Sequence, residues 1–338
     1  MDESIILKFH CRLLSAYHTT QHAHRNLLRC EPCILGSSVR GIVLGSLIQT
    51  CCQERYIAEL VTKKTSPEIQ AYHRTCPEDC PVRELAGERD WLPVFSFGHF
   101  PADSPHRMRH RIGINRELRT VAVGSVASIE VIPDGTEFSF SITLHASARR
   151  HRDQLERSVR EVGDRVGLGR YKSVGMGRFE VAHVEEVSLA TEFATVRSFA
   201  SSFSATLRLR VVTHFVLQDE ITTIPTDPDA LGQALAHALA FRTSEIKERF
   251  GLPLVTSAAP MAPRACRISF RPDYILRNSF EEGRRKNALV ALPGSWLDVS
   301  FQSLDEPFLD QLATAQLFGV GPWADVGFGR LRAEPAGS

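Results

Sequence analysis

Two stretches of the chain, GLGRYKSVGMGRF at residues 167–179 and GVGPWADVGFGRL at residues 319–331, follow one pattern. Each reads Gly, aliphatic, Gly, any residue, aromatic, two further residues, Val, Gly, apolar, Gly, Arg, apolar. The copies begin 152 residues apart, so each half of the chain ends in its own copy. A repeat at this separation predicts two similar domains.

The glycines in these stretches predict turns with positive φ that bring bare main chain to the surface, where N–H groups can hold phosphates. The first copy adds cations and an aromatic residue, as an RNA-tracking surface requires. The second copy has fewer cations, so a phosphate role is weaker there. Two tightly packed β-turns without a ligand are the alternative. The predicted RNA contacts are Gly167, Gly169, Arg170, Tyr171, Lys172, Gly175, Gly177 and Arg178, and then Gly319, Gly321, Trp323, Gly327, Gly329 and Arg330.

The composition is typical of a globular protein, with 338 residues, 43% of them apolar and 23% charged. This length allows two domains with proper cores. The net charge is only +1, so basic residues matter where they cluster, either as solvated faces or as RNA contacts. The clusters are Arg107, Arg109 and Arg111 with His106 and His110; Arg149, Arg150 and Arg152; and Arg284, Arg285 and Lys286, of which Arg284 and Arg285 are predicted RNA contacts.

The cellular location is predicted to be the cytoplasm. No apolar run approaches the roughly eighteen residues of a membrane span. The N-terminus MDESIILKF is acidic and then strand-like, unlike a signal peptide. Eight cysteines at uneven spacing, without such a signal, favour reduced thiols or metal ligation over a disulfide framework.

The order of predicted elements is strand, helix, strand, strand, helix, strand in each half, which is an α+β arrangement of the ferredoxin-like type. In the first half the elements are strands at 4–16, 120–132, 136–146 and 178–187, with helices beginning near Ser37 and at about 149. The turn at 133–135 is expected to join two paired strands. In the second half the predicted elements come before the second glycine turn. They are a strand at 203–217, a helix from Asp227 or Asp229 to Gly251, strands at RISFRP and 289–301, and a helix at 306–318. The predicted domains are 1–188, with an insertion at about 53–110, and 200–338, joined by a loop over 188–200.

The chain resembles the RAMP superfamily of CRISPR-associated proteins. The resemblance lies in ILGSSVRG before a helix, in INRELRTVAVGSVASIEVIPDGTEFSFSITL, and in glycine turns of the form GxGxxxxxGxG after the second helix of each half. It implies two tandem ferredoxin-like (RRM-like, βαββαβ) domains, each with a glycine-rich loop before its last strand. It also implies CRISPR repeat RNA or guide RNA as a partner, with other CRISPR effector subunits as further partners and no membrane.

Two activities within that superfamily fit the sequence. One is the endoribonuclease that cleaves precursor CRISPR RNA within its repeats to make guide RNA for antiviral defence. The other is a non-catalytic subunit, a cap on the 5′ tag or a backbone subunit of a type III-like effector complex. The basic RRK segment, the closing LFGVGPWADVGFGRL and the cysteine-bearing insertion after the first helix resemble the endoribonuclease, so cleavage is the predicted activity and the subunit role is the alternative.

Metal-independent RNA cleavage needs a base for the 2′-hydroxyl, an acid for the departing 5′-oxygen and a cation for the phosphorane, and requires no cofactor. Histidine suits either proton-transfer role. The resemblance implies a histidine of the first domain, often with a tyrosine and a lysine, and the candidates are His18, His22, His24, Tyr17 and Lys172. A histidine-rich surface loop without a catalytic role is the alternative. Arg40, early on a predicted helix, either holds a phosphate there or pairs with a carboxylate.

Cysteines and one histidine could form a structural zinc site in the insertion. Cys76 and Cys80, with Cys51 or Cys52 and His73, offer four ligands of the kind that zinc prefers. Cys30 and Cys33 form a second candidate pair. Free thiols are the alternative in both places.

Overall fold

The fold is known from a computed structural model. It describes residues 3–24, 27–31, 33–51, 77, 80–86, 93–115, 120–203, 206–216, 227–256, 265–279, 284–301 and 304–336. The helices are α1 (Gly36–Cys51), α2 (Pro81–Ala86), α3 (Arg152–Arg165), α4 (Leu189–Ala200), α5 (Pro228–Phe250) and α6 (Glu306–Phe318). Short 3-10 helices lie at Ala146–His151, Lys172–Val174 and Ala324–Val326.

The first sheet is built around β1 (Ile5–Leu13). This strand pairs antiparallel with β10 (Phe179–Ser188) on one side and with β9 (Glu137–Leu144) on the other. Two short strands, β5 (Val94–Phe95) and β6 (Gly98–His99), pair with the far edge of β9, and β4 (Cys33–Ile34) pairs with β6. With α1 and α3 the chain order is βαββαβ and the sheet order is 4-1-3-2. The predicted ferredoxin-like fold is therefore confirmed in this half.

The alternation of residues along β1 decides which face of the sheet is covered. Leu7, Phe9 and Cys11 are buried with apolar residues of α1 and α3. Phe9 stacks on Phe140 of β9 at 5.0 Å between ring centroids. His10 and Arg12 lie on the opposite face and are exposed, so one face holds the core and the other is polar.

The second sheet repeats this topology. Its strands are β11 (Thr206–Val211), β12 (Ala265–Ser269), β15 (Trp296–Ser300) and β16 (Leu331–Pro335), in the order β12-β15-β11-β16. Helix α5 follows β11 and helix α6 follows β15, so this half is also βαββαβ with the order 4-1-3-2. Leucines of α5 and Phe308 and Leu312 of α6 share one core with the strands.

Each half inserts a β-hairpin between the second and third strands of its sheet. In the first half β7 (Arg107–Asn115) pairs with β8 (Thr120–Val131), which also pairs with β3 (Leu27–Cys30) and so joins β2 (Thr20–His24). In the second half β13 (Pro272–Ser279) pairs with β14 (Arg284–Ala291). At the end of each hairpin, one β-bridge joins it to the segment that follows the first strand of that half. The bridges are Tyr17–Ile132, after β1, and Phe215–Ala291, after β11. The repeat therefore extends beyond the glycine turns.

The expected pairing of 120–132 with 136–146 is wrong. Strand β8 pairs with β7 and β3, whereas β9 pairs with β1. The chain passes from one sheet to the other at the turn 133–135, where the N–H of Gly135 donates to the carbonyl of Leu13 at 2.8 Å. The second strand of the first domain is instead formed by β5 and β6, which lie inside the predicted insertion at 53–110. Residues 52–76, 78–79 and 87–92 of that insertion lie outside the described residues.

The expected loop over 188–200 is also wrong, because α4 occupies it. Ser188 caps the helix by accepting the N–H of Thr191 at 3.2 Å. Leu189, Phe193 and Val196 recur at helical spacing and are buried with Ile6 of the first sheet and residues of α5 and α6. We propose that the domain limits lie at 1–188 and 200–338, with α4 between them.

Candidate nucleic-acid interface

The two glycine turns have the same backbone. All eight of their glycines have positive φ, between 72° and 84°, and so do the aromatic residues Tyr171 (60°) and Trp323 (66°). Leu168 N–H donates to Gly177 O at 2.8 Å, and its counterpart Val320 N–H donates to Gly329 O at 3.0 Å. The sequence repeat is therefore a structural repeat, with the positive φ that the glycines predicted.

The arginine that closes each turn caps the preceding helix. Arg178 Nε donates to Asp164 O at 2.6 Å, and Arg330 Nε donates to Gln316 O at 2.8 Å. The last carbonyls of a helix have no partner within the helix, so these guanidiniums stabilise the ends of α3 and α6. The structure thus gives both arginines a role in folding, and their contact with RNA stays a prediction.

The first turn projects into solvent. Arg170, Lys172, Val174 and Gly175 are exposed, Val174 to 64%. The ring of Tyr171 stacks on His18 at 5.6 Å, with an interplanar angle of 25°. The turn therefore presents two cations and a fixed aromatic ring on one protrusion, which suits a sugar–phosphate chain with an unstacked base.

The turn is joined to the first hairpin through His18. His18 Nδ1 lies 2.7 Å from Glu130 O on β8, and His18 O accepts the N–H of Arg170 at 2.7 Å. On the neighbouring strand β7, residues Arg107 to His110 are exposed. We call Arg170–Gly175 together with Arg107–His110 the first-turn surface.

Tyr17 and His18 themselves are not accessible, which corrects the expectation that they act on RNA. Tyr17 is 1% exposed and donates to Cys33 O at 3.1 Å, and burial raises the pKa of its hydroxyl well above the ordinary value. His18 is 0% exposed beneath Tyr171, and burial lowers its pKa. His22 and His24 lie on β2, and their side chains are outside the described residues, as are those of Arg284 and Arg285 on β14.

The second turn lies between the two halves, and this position agrees with the weaker phosphate role expected for residues 319–331. Gly319, Gly327 and Gly329 are buried, and Trp323 packs edge-on against Phe328 at 5.3 Å. A Cβ added to Gly327 would lie 2.6 Å from the backbone nitrogen of Phe97, in the first half. This turn is a packing element.

Arginines of both halves surround Asp325 in the second turn. Arg242 and Arg249 of α5 donate to its carboxylate at 2.8 and 2.7 Å. Although burial opposes ionisation of Asp325, these guanidiniums hold its pKa below the ordinary value. Arg40 of α1 is attracted to the same carboxylate, and burial lowers its own pKa. This electrostatic attraction favours the carboxylate partner for Arg40 over a phosphate.

Comparison with known proteins identifies the family. The family model described as the RAMP superfamily matches residues 11–180, half of the chain. The protein belongs to the RAMP superfamily. No curated protein matches this chain. Among solved structures, the chain is similar to one in "Cryo-EM structure of the Type III-B Cmr-beta bound to cognate target RNA", with 13% identity and a TM-score of 0.37. That match covers 55% of this chain and 61% of the other chain.

A second candidate site of this RAMP protein lies on the polar face of the first sheet. His183, His10, Ser139 and His99 are directly paired on four adjacent strands, so they share one face. We call these residues the histidine row. His10 and His183 stack at 5.7 Å. A cavity of about 620 Å³ is lined by His10, Arg12, His99, Phe100, Ser139 and neighbouring residues.

His99 is the most unusual member of the row. Burial, with the nearby Arg330 guanidinium, lowers its pKa to about 4, so the ring is neutral at pH 7. Its buried Nε2 makes no hydrogen bond within the part of the chain that the structure describes. A buried ring nitrogen of this kind can accept a proton or hydrogen bond from a ligand in the cavity. Sequence reasoning missed this site because the three histidines are far apart along the chain.

The zinc site predicted for the insertion is only partly described. Cys51 is exposed at the end of α1 and Cys80 is buried beside α2, while Cys76 and His73 lie outside the described residues. That site stays a prediction. Within the described residues a different set of donors, Glu31, Cys33 and His214, lies close together.

In addition, no helix of the described residues is long and apolar enough to cross a membrane.

Proposed function

We propose that this RAMP protein binds single-stranded CRISPR RNA on the first-turn surface and holds it as a subunit of a CRISPR effector complex. The observation that supports this proposal most is the different exposure of the two glycine turns. The copy that faces solvent carries Arg170 and Lys172, whereas the copy that is packed between the halves has Pro322 and Ala324 at those two positions.

The chemistry of the surface favours single-stranded RNA. The exposed cations neutralise phosphates, which makes the affinity depend on salt. Tyr171 cannot swing freely, because its ring stacks on His18 and its backbone has a φ of 60°. A fixed ring loses little entropy when a base stacks on it, and stacking contributes about 1–3 kcal/mol per base.

Binding of a labelled CRISPR repeat RNA, measured by fluorescence anisotropy over a range of salt concentrations, tests the proposal. We expect Lys172→Ala to weaken binding of all sequences and to reduce the salt slope by about 0.7, as loss of one single-strand phosphate contact requires. Tyr171→Leu should weaken binding by about 5- to 150-fold. Arg267→Ala, which removes an exposed arginine from β12, is the matched control and should bind as the wild type does. Equal affinities for all four proteins would contradict the proposal.

Cleavage of precursor CRISPR RNA within its repeats is the second candidate function, and the histidine row favours it. His10 and His99 flank Ser139 from neighbouring strands, so their backbones are about 10 Å apart across the cavity. In the proposed reaction neutral His99 takes the 2′-hydroxyl proton and the 2′-oxygen attacks phosphorus. His10, which lies 3.8 Å from Glu185, gives a proton to the departing 5′-oxygen. Arg12 stabilises the negative charge that develops on the phosphorane. The products are a 2′,3′-cyclic phosphate and a 5′-hydroxyl.

Cleavage is tested with the same repeat RNA in EDTA, beside an RNA with a 2′-deoxy residue at the scissile position. If the row is catalytic, His10→Ala and His99→Ala abolish cutting but keep RNA affinity, and the deoxy RNA stays intact. His237→Ala, at an exposed histidine of α5, is the control. Loss of cutting only in His22→Ala or His24→Ala would place the chemistry on β2. Tight binding without cutting by the wild type would leave the non-catalytic role. Association with other effector subunits and a cytoplasmic location remain predictions.

A further inference from the structure

Three side chains with zinc-type donors meet where the halves of the chain touch. Glu31 and Cys33 lie at the start of β4 in the first half, and His214 follows β11 in the second. Glu31 Oε2 is 3.3 Å from Cys33 Sγ and 3.5 Å from His214 Nε2. All three donor atoms lie within 4.8 Å of one another.

These separations agree with tetrahedral zinc coordination. Zinc bonds of about 2.3 Å to sulfur and about 2.0–2.2 Å to nitrogen and oxygen place the donors of a tetrahedron about 3.4–3.6 Å apart. The two observed distances from Glu31 Oε2 differ from these values by about 0.3 Å or less. Only the separation of sulfur from nitrogen, which is at most 4.8 Å, would need to shorten, and a side-chain rotation can supply that change.

The backbones that carry the donors are held in place by other parts of the fold. The hydroxyl of Tyr17 donates to Cys33 O at 3.1 Å. The carbonyl of His214 accepts the N–H of Gly329, in the second glycine turn, at 2.8 Å. The rings of Phe97 and Phe328 pack beside the imidazole at 5.8 and 6.1 Å. Preorganised ligands bind a metal more tightly, because little entropy is lost on binding.

We propose that Glu31, Cys33 and His214 bind a structural zinc ion that joins the two halves of the protein. A thiolate and an imidazole select zinc over calcium and magnesium, which prefer oxygen ligands. A water molecule completes the tetrahedron; the thiol of Cys30 donates to the backbone carbonyl of Glu31 at 3.5 Å and lies outside the set of three clustered donors. The burial of His214 (0% exposed) and Cys33 (8%) fits a structural ion. This site is separate from the zinc site predicted for the insertion and independent of the proposed RNA binding.

Zinc content of the purified full-length chain, measured by mass spectrometry, tests the proposal. Cys33→Ser and His214→Gln should each contain one equivalent of zinc less than the wild type. Cys51→Ser is the matched control, because it removes an exposed cysteine from the other predicted site, and the zinc bound by Glu31, Cys33 and His214 should be unaffected by it. Unchanged zinc content in both Cys33→Ser and His214→Gln would overturn the proposal.

Cobalt substitution keeps the proposal testable if a variant fails to fold. Wild-type protein stripped with a chelator and titrated with Co²⁺ should show a thiolate charge-transfer band in the near ultraviolet. The band should be weaker by one thiolate in Cys33→Ser, and Cys30→Ser reports whether a second sulfur is bound. A conservative variant, Glu31→Asp, should keep the metal with reduced affinity. Wild-type protein that binds neither zinc nor cobalt through a thiolate would refute the site.

Discussion

The unequal surroundings of the two glycine turns predict unequal costs for the same substitution. Gly175 and Gly327 occupy equivalent positions in the repeat, with φ of 79° and 84°. An added Cβ on Gly175 meets nothing within 4 Å. On Gly327 it would lie 2.6 Å from the backbone nitrogen and 2.8 Å from Cδ1 of Phe97. Alanine at either position has the same backbone strain, but only the second must displace the neighbouring half.

The magnitudes follow from these two terms. A residue with a Cβ in the left-handed region costs about 1–2 kcal/mol, which is the whole effect expected for Gly175→Ala. Overpacking adds about 1–3 kcal/mol, so Gly327→Ala should reduce the free energy of unfolding by about 2–5 kcal/mol. The backbone of Phe97 cannot rotate away as the end of a flexible side chain can, so we expect a loss near the upper end of that range.

Urea unfolding followed by circular dichroism measures both values against the wild type. The shift of the midpoint, multiplied by the common slope, gives each change in the free energy of unfolding. Gly175→Ala serves as the internal control for backbone strain. Equal losses in the two variants would show that the second turn is not packed against Phe97, and would refute the distinction between an exposed and a buried copy.

Two further substitutions test how the halves are held together. Asp325→Asn should cost about 3 kcal/mol at pH 7, because it leaves Arg242 and Arg249 without their carboxylate. The folded-state pKa of Asp325 lies below the ordinary value of 3.8, so the contribution of its carboxylate to stability is present above pH 3.8 and is lost as the pH falls through the folded pKa. The free energies of unfolding of the wild type and of Asp325→Asn should therefore converge in acid. A constant difference between them at all pH values would contradict this reasoning. Ser188→Ala should lower the free energy of unfolding by about 1 kcal/mol, because it removes the cap of α4. Ser198→Ala, on the same helix, should not change it. Thermal unfolding measures both variants, and wild-type melting temperatures in both would contradict the capping role.

Much of the fold could be predicted from local patterns. Helices α5 and α6 are indicated by residues close together in the chain, and their observed bounds, Pro228–Phe250 and Glu306–Phe318, agree with the predicted ones. The first strand was predicted at 4–16 and is observed at Ile5–Leu13. Pairing between distant segments was harder to predict. Residues 120–131 have a good strand pattern, but the same pattern suits either sheet, and only the pairing of β8 with β3 and β7 shows that this strand belongs to a different sheet from β9.

The candidate sites show the same limit. The sequence singled out Arg170 and Lys172, which are exposed, and Tyr171, which is half-buried, but it also singled out Tyr17 and His18, which are buried. Nothing in the polar loop HTTQHAH indicates that Tyr171 will cover its first histidine. Cys33 was a candidate metal ligand beside Cys30, but its grouping with Glu31 and His214 was not predicted, and neither was the histidine row, because the spacing of their members along the chain has no diagnostic period.

The sequence by itself determined that this chain has two related halves and that each contains a turn with left-handed glycines, since backbone conformation depends on the residue that adopts it. Only the tertiary structure decided that one turn faces solvent and the other faces Phe97. Exposure depends on what lies opposite a residue, and the surfaces that meet here come from segments more than two hundred residues apart. The two copies are alike in sequence and backbone, and the docking of the halves separates a surface suited to RNA from a packing element.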